Sequence, residues 1–401
     1  MSKDIVRIGL CGLSFCSPNL GCSALATDGT YIYYNPIRLI DIFKNDNVQL
    51  KIVVFSNVDS KDYVVTSEKW VSEELIRYSF KKISSIKLAK AKIEECDVVF
   101  DFTEGDSFSD IYGLKRFALT SFFKFVTIKK DGCLVLGPQT YGPFKNKHVK
   151  KMAKWLISSA DRVYARDKKS AKLVESITGI KAITTTDVAF ALPKDQVQID
   201  GCGRPSFGLN VSGLLWTGGY TESNQFGLSV NYREYIKRLI PEIIERGYNV
   251  HLIPHVVGDM YPECDSPICK ELSEQYEHCI LAPDFVSPMQ AKGYISNMDV
   301  FSGARMHATI GAFSSGVVTL PFAYSPKFEG LYESIGYPYL IDGRKLSTDE
   351  AVGLTLKYLD ETEKLREAQH QALDKAYQNL GAFSADLRDW LNHSVLAIDN
   401  D

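Results

Sequence analysis

The sequence predicts an α/β protein made of two doubly wound halves facing a cleft, with C-terminal helices. Three observations carry this. Short apolar runs of strand length alternate with amphipathic segments of helix length. The alternation breaks once, at the Pro- and Gly-bearing stretch PKDQVQIDGCGRPS (193–206), which reads as an interdomain linker. A chain of 401 residues with 45% hydrophobic content is long enough for two cores. The expected boundaries are 1–195 for the first domain, 196–345 for the second and 346–401 for the closing helices. Those helices are rich in Lys, Glu, Gln and Ala and are expected to cross back onto the first domain.

In the first half, Val6–Cys11 is an apolar strand that runs into GLSFCSPNLGCSALA, a small-residue loop entering a helix near Asn19. Gly9, Gly12 and Gly21 do not fit GxGxxG, and no GxxxxGK[ST] occurs. The loop therefore either approaches a ligand or simply packs closely. Lys51–Phe55 gives a second strand and Cys96–Phe102 a third. The third discharges into TEGDSFSDIYG, placing Glu104, Asp106 and Asp110 at a strand's carboxyl end, where carboxylates act as general bases or grip sugar hydroxyls. The competing reading is that Asp106 or Ser107 caps a helix running to about Thr127. Gly105, which lets backbone approach a ligand, favours Asp106 as functional. Cys133–Gly137 is the next strand, and it ends in GPQTYGPF. Around Gln139, Thr140 and Tyr141 this is either a rigid polar loop suited to a sugar face or a plain turn. A helix over Ala153–Ala160 and a strand over Asp161–Ala165 follow. Asp167 then caps a helix that Gly179 ends, and Arg166 needs either a salt bridge or an anion contact. Thr184–Leu192, with Asp187, closes this half.

The second half repeats the alternation. Ser206–Ser212 is a strand with Asn210 near its end, Tyr232–Gly247 a helix, and Asn249–Pro254 a strand that delivers His255 and then Asp259. His255 divides evenly between a packing role and a substrate contact. After a helix over Ser287–Asn297 comes the most informative stretch. Met298–Phe301 reads as a buried strand, Ala304–Ser315 as a small-residue helix stopped by Gly316, and Val317–Ala323 as the next strand. Arg305 and His307 fall in that helix's first turn and Lys327 follows the next strand, where open α/β sheets hold anions. A cation at a helix N-terminus opposes the dipole by roughly 0.3–1 kcal/mol, so Arg305 calls for a compensating anion. Solvated first-turn polar residues are the bland alternative.

Charged residues make up 24% of the chain and the formal net charge is −3, which argues against nucleic acid or an anionic membrane as a bulk partner. Nine cysteines are spread singly, without CxxC or zinc-like spacing, and read as reduced thiols of a cytoplasmic protein with no metal site. No apolar stretch is long enough for a signal or a membrane span, leaving only peripheral association with a membrane open.

The set DFTEGDSFSD, GPQTYGPF, VYARDKKSAKL, TDVAFAL, LNVSGLLW, LIPHV, MDVFSGARMHATIGAFSSGV and YSPKFEGL resembles the polysaccharide pyruvyl transferase family, from the first strand to about Gly336. The resemblance implies a glycosyltransferase-B-like pair of Rossmann-like domains. It also implies transfer of the pyruvyl group of phosphoenolpyruvate, a co-substrate rather than a cofactor, onto two hydroxyls of a sugar or lipid-linked glycan. Phosphate is released and a cyclic ketal forms. The family's Arg-x-His falls on Arg305 and His307, its following lysine on Lys327, and its Arg-Asp pair on Arg166 and Asp167. SPNLGCSALATDG lacks the acidic residue that often follows Asn-x-Gly in relatives.

The donor's two anionic groups need fixed cations, which a bidentate Arg305 and a point-charge Lys327 supply, with Arg166, Asn210 and His255 beside them. His307 is the expected acid toward the methylene carbon and Asp106 the expected base. Acceptor contacts are assigned to Asn19, Glu104, Gln139 and Tyr141. The alternatives are a nucleotide-sugar-dependent glycosyltransferase and a noncatalytic glycan-binding relative on the same fold.

Overall fold

The computed structural model describes residues 5–14, 17–29, 49–56, 70–199, 203–258 and 261–396. Its first half contains β1 (Ile5–Cys11), α1 (Leu20–Gly29), β2 (Gln49–Ser56), β3 (Val71–Arg77), α2 (Ile83–Glu94), β4 (Val98–Asp101) and α3 (Leu114–Lys129). It continues with β5 (Cys133–Gln139), α4 (Lys147–Ser158), β6 (Arg162–Ala165), α5 (Lys168–Thr178) and β7 (Ile183–Thr184). The second half runs β8 (Ser206–Asn210), α6 (Gly213–Trp216), α7 (Tyr232–Glu245), β9 (Asn249–Leu252), α8 (Ser266–Gln275), β10 (Cys279–Leu281), α9 (Pro288–Ile295), β11 (Val300–Gly303) and α10 (Met306–Ser314). It ends with β12 (Val318–Ala323), α11 (Pro326–Ile335), β13 (Ile341–Asp342), α12 (Thr348–Asp360) and α13 (Thr362–Leu391).

The strands form two parallel sheets, ordered β3-β2-β1-β4-β5-β6-β7 and β10-β9-β8-β11-β12-β13. Each sheet reverses its winding direction beside its first strand, between β1 and β4 and between β8 and β11. Such reversals open crevices at the carboxyl ends of open parallel sheets. The central strands are apolar on both faces because helices cover both, so Val98–Asp101 and Val318–Ala323 are buried at every position. This is the α/β, two-domain Rossmann-like fold that the alternation of apolar runs predicts.

Several elements escaped that pattern. β3 reads VSEELIR, and its charged residues suit an edge strand, since charge there discourages further pairing. β10 is likewise an edge strand, and β13 spans only two residues. The helix expected from Asp106 or Ser107 begins instead at Leu114, after Gly113 at φ 92°. The intervening loop is braced from outside: Ser109 Oγ donates to the Pro143 carbonyl at 2.8 Å, and Asp110 Oδ2 accepts the Asn146 amide at 2.7 Å. Asp167 does cap α5, accepting the Ser170 amide at 2.7 Å, and Gly179 ends that helix in the left-handed conformation.

By compactness, the first unit comprises residues 1–16, 25–191 and 376–401, and the second residues 17–24 and 192–375. Thus Ser17–Ala24, between β1 and the middle of α1, counts with the second unit. Within the stretch expected as a linker, Asp195 donates its amide to the Met289 carbonyl, and the Val197 carbonyl accepts Asn297 Nδ2 at 2.9 Å. Along α13, Gln369 in the second unit accepts the Thr319 amide at 3.0 Å and donates to the Val317 carbonyl at 2.7 Å. Asp386, in the first unit, accepts the Tyr164 hydroxyl at 2.6 Å. No helix among the described residues is long and apolar enough to cross a membrane.

Candidate functional site

Four consecutive strands of the second sheet, β9-β8-β11-β12, deliver polar residues to its carboxyl edge. Asn210 ends β8, His255 follows β9, Arg305 and His307 open α10 after β11, and Lys327 lies in the first turn of α11 after β12. The parallel pairing of these strands is what brings sequence-distant residues to one edge.

At the centre is a residue that sequence reasoning missed. Asp265 is fully buried, and its carboxylate ties together the segments that follow β8, β9 and β11. Oδ1 accepts Arg305 Nη2 at 2.8 Å and the Gly213 amide at 2.9 Å, while Oδ2 accepts the backbone amides of His255 at 3.1 Å and Val256 at 3.0 Å. Arg305 Nε lies 3.2 and 3.3 Å from the two oxygens, and Asn210 Nδ2 is 3.4 Å from Oδ2. Asp265 occupies the N-cap position of α8 but makes no capping bond there, its side chain being turned inward. The D-S-P helix start was legible in sequence; a reach of 40 residues to Arg305 was not.

This revises the expectation for Arg305. Its compensating anion is supplied internally, by Asp265, and Nη2 also donates to the Glu263 carbonyl. Burial alone would push its pKa down, but the neighbouring Asp265 carboxylate carries it net upward, so the charge is secure. With Nε and Nη2 engaged, a bidentate fork toward a ligand is not available; Nη1 has no hydrogen-bond partner among the described residues. Asn210, expected as a donor contact, is engaged by neighbouring strands. It is fully buried, accepts the Arg305 amide on Oδ1 at 2.9 Å and donates Nδ2 to the Ile253 carbonyl at 2.9 Å.

His307 is half-buried and stands against the start of α1. A Cβ on Gly21 would lie 2.4 Å from His307 Nδ1, so no larger residue fits there without moving the imidazole. Asn19, expected as an acceptor contact in the first domain, instead counts with the second unit. It pairs with Val256 in an antiparallel bridge, and its Oδ1 accepts the Gly21 amide at 3.0 Å. The Leu20 amide donates to the His255 carbonyl at 3.1 Å. Lys327 is half-buried, behind Pro326 at the first position of α11. Asp259 lies outside the described residues.

The first unit's carboxyl edge is built differently. Thr103, Glu104 and Gly105 all adopt positive φ (43°, 51° and 79°), a left-handed turn directly after β4 that non-glycine residues rarely accept. Gly12, at the end of β1, permits it, since a Cβ there would lie 2.4 Å from the Thr103 amide nitrogen. Beneath the turn Lys124, fully buried, donates Nζ to Asp101 Oδ1 and Thr103 Oγ1, each at 2.7 Å, and to the Thr120 carbonyl at 2.9 Å. All three ammonium protons are used. A lysine inside the apolar run FALTSFFKFV was the sequence signal for this buried pair.

Glu104 is half-buried, accepts Ser14 Oγ at 3.1 Å and is paired with Arg116. Asp106, also half-buried, accepts the Tyr112 hydroxyl at 3.2 Å. The capping alternative for it falls, because α3 starts eight residues later. A small pocket lined by Gly12, Tyr78, Phe80, Asp101, Thr103 and Glu104 lies at the reversal point between β1 and β4.

Gln139 and Tyr141, expected as acceptor contacts, are buried. Gln139 is fully buried and donates Nε2 to the Asp101 carbonyl at 3.1 Å; Tyr141, 3% exposed, donates its hydroxyl to the Tyr164 carbonyl at 3.1 Å. The two alternatives for Arg166 resolve to the salt bridge. At 2% exposure its Nη1 meets Asp187 Oδ2 at 2.7 Å and its Nε meets Thr140 Oγ1 at 2.7 Å.

A family model described as Polysaccharide pyruvyl transferase matches residues 37–326. No curated protein sequence matches the chain. Among solved structures, it is similar to UDP-GlcNAc 2-epimerase from Neisseria meningitidis bound to UDP-GlcNAc, at 12% identity and TM-score 0.55, covering 97% of this chain and 99% of that one. It is also similar to sucrose-phosphate synthase from Thermosynechococcus elongatus, at 9% identity, TM-score 0.56 and 97% and 98% coverage. A third is the UDP-forming alpha,alpha-trehalose-phosphate synthase from Burkholderia vietnamiensis, at 7% identity, TM-score 0.57 and 100% and 99% coverage. At such identities the likeness is one of fold, glycosyltransferase-B-like.

Proposed function

Because the chain belongs to the polysaccharide pyruvyl transferase family, we propose that it moves the pyruvyl group of phosphoenolpyruvate onto two hydroxyls of a sugar, forming a cyclic ketal and releasing phosphate. The observation that carries this reading is the gathering of Arg305, His307 and Lys327 on one edge of the second sheet, with Arg305 locked by Asp265. A small dianion needs cations whose positions do not shift as it binds, and a guanidinium held on two of its nitrogens meets that need.

The reaction follows from the donor's electronics. A proton from His307 goes to the methylene carbon as one sugar oxygen bonds to C2, which leaves a methyl group and a tetrahedral centre still bearing phosphate. The C2–O bond to phosphate then breaks, phosphate takes both bonding electrons, and the second sugar oxygen closes the ketal. Of the two hydroxyl protons released, one replaces that given by His307 and the other leaves with phosphate. Arg305 and Lys327 favour this step by stabilising charge as it builds on the departing phosphate. Glu104 and Asp106, the half-buried carboxylates of the first unit, are of the type that grips sugar hydroxyls or removes their protons.

A nucleotide-sugar-dependent transfer is the second reading. It draws on the fold likeness and on a cavity of about 530 Å³ after β8 that is lined by Trp216, Asn231, Tyr232 and Arg233. Incubation with phosphoenolpyruvate or a nucleotide sugar, plus glucose, galactose or mannose acceptors, separates the two. Acceptor-dependent phosphate release supports pyruvyl transfer. Nucleoside diphosphate release overturns it, and binding without turnover leaves a glycan-binding relative.

A further inference from the structure

The imidazole of His255 is 4% exposed, yet neither Nδ1 nor Nε2 has a hydrogen-bond partner among the described residues. Buried polar atoms are almost always paired, and an imidazole left unpaired on both sides is costly to fold around. The surroundings do not let it escape. Its amide is tied to Asp265 Oδ2 and its carbonyl to the Leu20 amide, so the backbone on both sides of the ring is fixed. The same carboxylate holds Arg305, so the His255 backbone and the guanidinium share one anchor. Burial, then the nearby His307 and Arg305, push the His255 pKa down to about 3, so at neutral pH the ring carries one N–H donor and one lone pair.

Packing alone does not account for a histidine here. An apolar side chain of similar volume would fill the space without the penalty, and uncompensated local penalties in folded proteins concentrate at functional sites. We propose that His255 is a direct hydrogen-bond contact for the ligand of the Arg305–His307 edge, its N–H donating to an anionic oxygen of the bound donor. Taking that donor as phosphoenolpyruvate rests on the function proposed above. The contact divides labour on the edge: Arg305 and Lys327 supply fixed charge, His307 the mobile proton, and His255 an uncharged directional donor that adds no repulsion beside Arg305.

The test uses the full chain with phosphoenolpyruvate as the probe and compares His255→Leu and His255→Gln with the parent. The ligand-free Leu variant is expected to melt at or above the parent temperature, while its phosphoenolpyruvate Kd rises about tenfold and ligand-induced stabilisation shrinks accordingly. The Gln variant, which keeps an N–H donor, is expected to recover part of the affinity. A Leu variant that binds phosphoenolpyruvate as tightly as the parent overturns the contact while leaving the donor assignment standing. A Leu variant that melts well below the parent when ligand-free also overturns it, because the ring is then structural. If the parent binds no phosphoenolpyruvate but binds a nucleoside diphosphate, and the Leu substitution weakens that binding, the contact stands and the donor assignment falls.

Discussion

The two sheet edges share a winding pattern and each is built on a buried ion pair, but they differ in the polar groups around it. In the first unit Lys124 is consumed entirely by Asp101, Thr103 and the Thr120 carbonyl, Arg166 is held on Nε and Nη1 by Thr140 and Asp187, and the carboxylates Glu104 and Asp106 are half-buried. In the second, Asp265 engages Arg305 on two nitrogens but leaves Nη1, and both nitrogens of His255 stand unpaired in deep burial. Ion pairs are scaffold in both units. The second edge differs in carrying a buried imidazole with neither nitrogen paired, which is the basis on which anion binding is proposed for it.

The sharpest break of this comparison is kinetic. His307→Ala should lower acceptor-dependent phosphate release by about 10²–10⁴-fold, the usual contribution of a general acid, with phosphoenolpyruvate binding retained. Calorimetric titration beside the rate assay checks it, and a full rate in the variant would remove His307 from the chemistry. Next come the two buried anchors. Asp265→Ala and Lys124→Met each strand a buried opposite charge and should each cost about 3–5 kcal/mol of folding stability in denaturant titrations. They part at the ligand: Asp265→Ala should also lose donor binding, whereas folded Lys124→Met should keep it. Equal donor affinity in the two variants would erase the distinction between the edges.

Lys327→Ala should weaken phosphoenolpyruvate by about 1.5–3 kcal/mol, tenfold or more in Kd, as expected for one charge-assisted contact. The last effect is on acid stability and is spread over several pH units. The His255 pKa falls from 6.5 to about 3 on folding, so the unfolded chain binds the extra proton. The penalty for protonating it in the folded state is absent above about pH 6.5 and grows as pH falls toward 3, by up to about 1.4 kcal/mol per pH unit. His255→Leu should flatten that slope in urea titrations between pH 6 and 4, and an unchanged slope would assign the acid sensitivity to other groups.

Much of the fold was legible because its signals are local. Val98–Phe100 and Leu320–Ala323 are continuous apolar runs, Asp167 and Gly179 bracket α5, and Gly316 follows α10. β3 was not legible, because an edge strand alternates charge instead of burying both faces. Gln139 and Tyr141 look like loop residues between Gly-Pro pairs, but neighbouring strands and helices cover them.

The sequence by itself determined the two-unit α/β plan, the placement of Arg305, His307 and Lys327 after strand ends, and the resemblance from which a family could be recognised. Only the tertiary structure decided which charges are already spent. That Asp265 rather than a ligand neutralises Arg305, that Asp187 does so for Arg166, and that His255 is buried without a partner depends on contacts between residues tens of positions apart. Periodicity and capping reach a few residues along the chain, whereas the pairing of a buried charge is settled by which strands lie side by side.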